Sequence, residues 1–179
     1  VYFQGVLRTW FLRSPFNDKK LYGYYMDQNR KAVGYPRADI LFGLDECTDK
    51  NKKLYIVEGI FDKIWFDRTG QQTVACLSNR ILREQIAYLK HYKHIVLVPD
   101  NDLKKKDEGL LLVESALALA PYCKVSVCVL PLHKKDCNEC ALEELLESTY
   151  KEVSIFDFIN TERYITWCSR KLFRLQSMQ

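Results

Sequence analysis

The chain has 179 residues, of which 47% are apolar and 28% charged, with 7 Gly and 5 Pro. That length suits one globular domain, or one domain with small appendages, and it can bury a core without disulfide or metal staples. The composition excludes intrinsic disorder and collagen-like repeats, and no apolar run approaches the roughly 18–20 residues of a membrane-spanning helix, so no membrane partner is expected. The net charge of +4 is compatible with a polyanionic partner without demanding one.

In chain order, Val1-Tyr2-Phe3-Gln4-Gly5 reads as an expression-tag remnant, with native sequence starting near Val6. Because Val6 is not Met, the chain reads as a piece of a longer protein. Residues 6–44 carry no sustained period. Leu21-Tyr22-Gly23-Tyr24-Tyr25-Met26 is aromatic and strand-like. Asp27-Gln28-Asn29 offers a turn, and Lys31-Ala32-Val33-Gly34-Tyr35 is the returning strand of a small basic hairpin. A polar break follows over residues 45–53.

Regular alternation then begins. Leu54-Tyr55-Ile56-Val57 is a short apolar strand. Phe61, Ile64, Trp65 and Arg68 trace a helix that Gly70 ends. Thr73-Val74-Ala75-Cys76-Leu77 is a second strand, and Ile81, Leu82, Ile86 and Leu89 form the apolar face of a second helix. Ile95-Val96-Leu97-Val98 is a third strand, residues 110–120 a Leu- and Ala-rich helix closed by Pro121, and residues 125–130 a fourth strand. Asn138 is placed as the cap of a helix running to Leu146. Residues 153–175 read as one or two further helices. Continuously apolar strands alternating with helices predict an α/β fold, with about four parallel strands covered on both faces.

The 7 Cys are an odd number, and Cys76 and Cys128 sit inside apolar runs, as reduced core thiols do. This favours a reducing, intracellular compartment. Cys137-x-x-Cys140 is a lone pair, because Cys123 and Cys128 do not supply the second pair a zinc ribbon needs.

In open parallel sheets, ligands bind beyond the carboxyl ends of the strands. Glu58-Gly59 follows the first strand, with Asp62 one turn on. Asp100-Asn101-Asp102 follows the third, and Lys135-Asp136-Cys137-Asn138-Glu139 follows the fourth. Three strand ends thus present carboxylates to one edge. Like charges so placed repel unless a cation sits between them, and oxygen-only donors favour Mg²⁺ or Mn²⁺, ions that commonly act on phosphates. Acidic residues at strand ends also serve as helix caps and solvated loops, and such a pocket with Mg²⁺ also occurs in phosphoacceptor receiver domains.

These residues resemble the Toprim domain, shared by bacterial-type DNA primases, topoisomerases and some nucleases. The match runs over about residues 41–147. It rests on Ile56-Val57-Glu58-Gly59-Ile60-Phe61-Asp62 and on Val98-Pro99-Asp100-Asn101-Asp102. Leu41-Phe42-Gly43-Leu44, the Glu58-Gly59-x-x-Asp62 form, Leu77-Ser78-Asn79-Arg80-Ile81 with Glu84-Gln85, Lys135-Asp136-Cys137-Asn138-Glu139 and Ile155-Phe156-Asp157-Phe158 resemble primases and phage primase–helicases in particular. A basic stretch, Leu103-Lys104-Lys105-Lys106-Asp107-Glu108, separates the second acidic motif from Gly109, where the family has its glycine sooner. Ser78-Asn79 replaces the family's Gly-Thr turn, and Cys137 replaces a proline.

The resemblance implies an enzyme. It would be the catalytic core of a DNA primase, a nucleotidyltransferase that makes short RNA primers from ribonucleoside triphosphates on single-stranded DNA. Asp100, Asp102 and Asp136 would hold Mg²⁺ or Mn²⁺, with Glu58 a further ligand or general base and Asp62 and Lys135 as additional site residues. Glu139 is expected at a helix start and Gly59 where backbone approaches closely. Arg13, Arg37 and Lys104 are the candidate contacts to nucleic acid and nucleotide: Arg13 and Arg37 belong to a basic cluster before the match with Arg8, Lys19, Lys20, Arg30 and Lys31, and Lys104 to the basic stretch Lys104-Lys105-Lys106, which either reaches phosphates at the metal edge or forms a solvated loop. Tyr22, Tyr24 and Tyr25 either stack bases or pack on the core. A replicative helicase, in cis or in trans, is the implied partner. The implied setting is cytoplasmic, with a phage-encoded protein in a bacterial host as one origin.

The implied organisation is a tag remnant at 1–5, the end of a basic N-terminal primase subdomain at 6–44, a Toprim domain at 45–150 and a helical segment at 151–179. The alternatives are a Toprim nuclease or topoisomerase fragment, and a non-catalytic nucleic-acid-binding Toprim module. The chain has no GxxxxGK(S/T) and so carries no helicase motor itself.

Overall fold

A computed structural model describes residues 40–101, 110–161 and 164–165, and the backbone of short strands between residues 2 and 33. Arg37, Asp102 and Lys104 lie outside the described residues, as do Arg8, Lys19, Arg30, Lys31, Tyr24, residues 166–179 and the side chains of Arg13, Lys20, Tyr22 and Tyr25. β1 (Tyr2–Phe3) pairs antiparallel with β2 (Val6–Leu7), so the residues read as a tag remnant fold back on the sequence that follows. The amides of Gln4 and Gly5 donate to the Asp45 carboxylate at 2.8 and 2.9 Å. β3 (Trp10–Arg13) pairs with β4 (Lys20–Gly23), and β5 (Tyr25–Met26) with β6 (Ala32–Val33). The aromatic run expected to form one strand therefore contributes to two, and its returning partner is present at Ala32–Val33.

The main sheet is built from β7 (Lys53–Val57), β8 (Gln72–Ala75), β9 (His94–Leu97), β10 (Lys124–Cys128) and β11 (Glu152–Ser154). Its order is β11-β10-β9-β7-β8, parallel except for β11, which runs antiparallel along β10. The helices are α1 (Ile60–Phe66), α2 (Arg83–Leu89), α3 (Leu110–Ala116), α4 (Leu142–Tyr150) and α5 (Ile155–Ile159). Side chains alternate between the two faces of a strand, so an apolar run feeds two cores. Leu54, Ile56, Ile95, Leu97, Val125 and Val127 pack with Leu110, Leu112 and Val113. Tyr55, Val57, Val96, Val98, Cys128 and Leu130 pack with Phe66 and Leu145.

The fifth strand corrects the expectation that residues 153–175 begin as helix. Glu152-Val153-Ser154 is too short to show a period. Its backbone pairs with Ser126, Val127 and Cys128, and Glu152 Oε1 accepts from Lys53 Nζ at 2.8 Å and Tyr55 Oη at 2.7 Å. The helix starts only where Ser154 caps it, its hydroxyl accepting from the Asp157 amide at 3.1 Å.

The segment before β7 explains one motif structurally. Phe42 exchanges both backbone hydrogen bonds with Ala75, at 3.0 Å each. Gly43 has φ +87°, and a Cβ there would lie 2.2 Å from Lys63 Cε. The buried Lys63 ammonium needs that space to reach Glu46 at 2.6 Å and Asp67 at 2.7 Å. Gln85, fully buried, donates to the carbonyls of Ile40 at 2.8 Å and Cys76 at 3.0 Å and accepts from the Leu82 amide at 3.0 Å. It ties that segment to the end of β8 and the start of α2.

Candidate active site

Parallel strands deliver their carboxyl ends to one edge. β7 and β9 are neighbours in register, with Ile56 opposite Leu97, and the Val98 amide donates to the Ile56 carbonyl at 2.9 Å. Glu58 and Asp100 therefore leave adjacent strand ends. Both are half-buried. The Asp100 carboxyl is pushed up to about 8, first by burial and then by the negative charges of Glu58, Asp62 and Asp136, with Lys135 acting in the opposite sense. Carboxylates from three separate stretches thus act on one another at this edge.

Asp136 reaches the edge through a residue that sequence reasoning passed over. Asn101 is buried, and its Nδ2 lies at 3.2, 3.1 and 3.2 Å from the carbonyl oxygens of Leu130, Pro131 and Lys134. Its amide donates to the Lys135 carbonyl at 2.6 Å. The middle residue of Asp100-Asn101-Asp102 so staples the loop after β10 to the end of β9. The only sequence signal was a primary amide flanked by two acids, which carries no period.

Asp136 then caps a single 3₁₀ turn, Cys137–Glu139, its Oδ1 accepting from the Asn138 amide at 3.0 Å. This corrects the expectation that Asn138 caps a helix. Asp136 supplies that acceptor, and the Asn138 side chain is drawn away to Asp62, donating to Oδ1 at 2.6 Å. The helix begins at Leu142, where Glu144 accepts from the Ala141 amide at 2.8 Å. Lys135 Nζ stands 3.8 Å from Asp136 Oδ2 and is half-exposed. Glu139 accepts from the Lys135 amide at 2.7 Å.

Asp62 is buried in the first turn of α1. Its Oδ2 accepts from the Gly59 amide at 3.1 Å while Oδ1 holds Asn138. Both oxygens thus bear N–H donors, and the geometry makes Asp62 a brace between α1 and the Asp136 turn. A Cβ on Gly59 would sit 2.6 Å from Asp62 Oδ2, so the close approach that requires glycine is made by this carboxylate.

Cys137 and Cys140 are both buried. Burial pushes the Cys140 thiol up to about 11 and that of Cys137 well above the usual range. They fill space as protonated thiols. Among the described residues no three His, Cys, Asp or Glu side chains close into a metal-holding group as they stand, and Asp102 lies outside that set. The donor chemistry nonetheless suits a hard divalent cation: carboxylate oxygens, with Asp100 raised by burial and then by the negative charges of Glu58, Asp62 and Asp136.

The sheet order, the acidic strand ends and the segment preceding β7 fit the Toprim fold. Residues 55–141 match the Toprim-like family model, and the chain has the fold of DnaG-type primase catalytic cores. The DnaG catalytic core matches at a TM-score of 0.66 and 18% identity, over 87% of this chain and 52% of that one. The RNA polymerase domain of Mycobacterium tuberculosis primase DnaG matches at 0.60 and 18%, over 91% and 57%. A DnaG primase catalytic domain bound to single-stranded DNA matches at 0.57 and 18%, over 76% and 45%. The likeness is one of fold, and the chain spans about half the length of these structures. No curated protein matches its sequence. No helix among the described residues is long and apolar enough to cross a membrane.

Proposed function

We propose that the chain is the catalytic core of a DNA primase and joins ribonucleotides on a single-stranded DNA template. The observation that carries this is the set of carboxylates acting on Asp100 at one sheet edge. Asp100, Asp102 and Asp136 would hold Mg²⁺ or Mn²⁺, with Glu58 beside them. When bound, such an ion orients triphosphate oxygens and offsets the charge that develops on them.

The primer 3′-hydroxyl oxygen attacks the α-phosphorus of the incoming nucleotide, the bond to the bridging oxygen breaks, and pyrophosphate leaves. Glu58, half-buried and one residue beyond β7, is the group to accept the hydroxyl proton. Lys135 meets the leaving pyrophosphate, its half-exposed ammonium already lying against Asp136. Holding these groups in register is most of the catalysis, because phosphoryl transfer depends on positioning and electrostatics. A replicative helicase would supply the unwound template, and Arg13, Arg37 and Lys104 would contact nucleic acid or nucleotide.

The test incubates the chain with single-stranded template, ribonucleotides and Mg²⁺ or Mn²⁺. Short RNA products are expected, with synthesis lost in Glu58→Gln and Asp100→Asn while circular dichroism is unchanged. Cleaved DNA would point to a nuclease, and binding without products to a non-catalytic module. Undiminished synthesis in Glu58→Gln removes the mechanism.

A further inference from the structure

The edge of the sheet opposite the carboxylates carries the reverse charge. β7, β9 and β10 begin there, each on a basic residue: Lys53, His94 and Lys124 are register neighbours. Adjacent strands lie ~4.8 Å apart, so this row spans about 10 Å. The turns leading into it add Lys50, Lys52, Lys90, His91 and Lys93. Backbone bonds lace those turns together, the Lys93 amide donating to the Lys50 carbonyl at 3.0 Å and the Lys124 amide to the Lys93 carbonyl at 3.1 Å.

Not all of this charge faces outward. Lys50 turns in to the Tyr92 hydroxyl and the Cys47 carbonyl. Lys53 is paired with Glu152, which also lies 3.8 Å from His94. Asp49 accepts from the Asn51 amide at 2.9 Å. Lys52, Lys90, Lys93 and Lys124 are exposed and enter no ion pair among the described residues. Tyr122, two residues before Lys124, is 61% exposed.

We propose that this edge is a second nucleic-acid contact, which grips the phosphate backbone of a strand without reading its sequence. Four like charges on laced turns repel one another, and a polyanion relieves that repulsion with release of its counterions. Ammonium groups act as point charges on phosphates and carry no bidentate base code. The Tyr122 ring offers a face on which a base stacks. An acidic protein would call for an apolar centre of contact, and Tyr122 is the exposed aromatic residue of these turns. The contact is separate from the carboxylate edge by the length of a five-residue strand, about 16 Å.

The test is fluorescence anisotropy of a labelled 20-nucleotide strand in EDTA, titrated with the chain across a salt series. Replacing Lys52, Lys90, Lys93 and Lys124 together by Gln is expected to weaken binding about tenfold or more at low salt. The slope of log affinity against log salt should fall by about two to three, since each phosphate contact on a single strand contributes about 0.7. Tyr122→Ala is expected to weaken the single strand about fivefold and a duplex of the same length less, because only the single strand offers unstacked bases.

Lysine acetylation footprinting of the unaltered chain reads the same contact without any variant. The strand should protect Lys52, Lys90, Lys93 and Lys124 and leave Lys151 reactive. Unchanged affinity and slope in the folded variant, or no protection of the four lysines, overturns the proposal. Polyglutamate that binds this edge and is not displaced by the strand overturns it in favour of an acidic protein partner. Because the assay omits divalent ions and reads binding, its failure is distinct from failure of primer synthesis.

Discussion

Asn138 Nδ2 donates to Asp62 Oδ1 at 2.6 Å, joining residues 76 positions apart. The bond ties the first turn of α1 to the turn that carries Asp136, and so links two of the strand ends that make the candidate site. Asn138→Ala leaves a buried carboxylate without this donor. A hydrogen bond to a charged group contributes about 1.5–3 kcal/mol, and an unfolding free energy lowered by that amount, read by urea denaturation, is expected. Mn²⁺ affinity, read by calorimetry, should fall with it, because the Asp136 turn loses its anchor.

Asn101 predicts a sharper asymmetry. Its side-chain amide faces three carbonyl oxygens. Asn101→Ala should cost roughly 2–3 kcal/mol in unfolding free energy, with carbonyls left bare where water enters poorly. Asn101→Asp is nearly isosteric yet should be worse above the carboxylate pKa, because an anion then faces those carbonyls. Equal stability of the Asp and Ala variants at neutral pH would contradict the staple.

Gln85 tests the scaffold apart from the chemistry. Gln85→Leu keeps the volume and strips partners from the Ile40 and Cys76 carbonyls and the Leu82 amide. A loss of about 2–4 kcal/mol is expected from chemical denaturation. Divalent-ion affinity of the folded fraction should change little, in contrast to the Asn138 variant.

Asp100 sets a pH dependence with a definite sign. Its carboxyl rises in the folded state from 3.8 to about 8, mainly through burial and then through Glu58, Asp62 and Asp136. Between those values the folded form holds more protons than the unfolded one, so stability falls as pH rises through the window. In EDTA the melting temperature contributed by this group should drop from pH 5 to pH 8. Mg²⁺ or Mn²⁺ competes with the proton and should restore more of the melting temperature at pH 8 than at pH 5. A metal-induced increment that is the same at both values would show that the ion binds elsewhere.

The sequence by itself determined the layered α/β sheet and the strand-end carboxylates. Apolar runs such as Leu54-Tyr55-Ile56-Val57 and Ile95-Val96-Leu97-Val98 leave no polar face, and parallel strands must then deliver Glu58 and Asp100 to the same edge. Those are local patterns, legible without coordinates. Glu152-Val153-Ser154 is not legible as a strand because three residues hold no period, and the strand exists only through pairing with β10.

The sequence expectation of a helix start at Asn138 differs from the structure because capping preference depends on which acceptor is free. Asp136 and Asp62 decide that from either side. Asn101 and Gln85 carry no such signal as structural residues for the same reason: the donors of their side-chain amides meet carbonyls 9–45 positions away in sequence. Composition and period record what a residue avoids, namely water or burial. Only the tertiary structure records what a buried polar group has to meet, and here that includes the position of Asp136 beside Asp100.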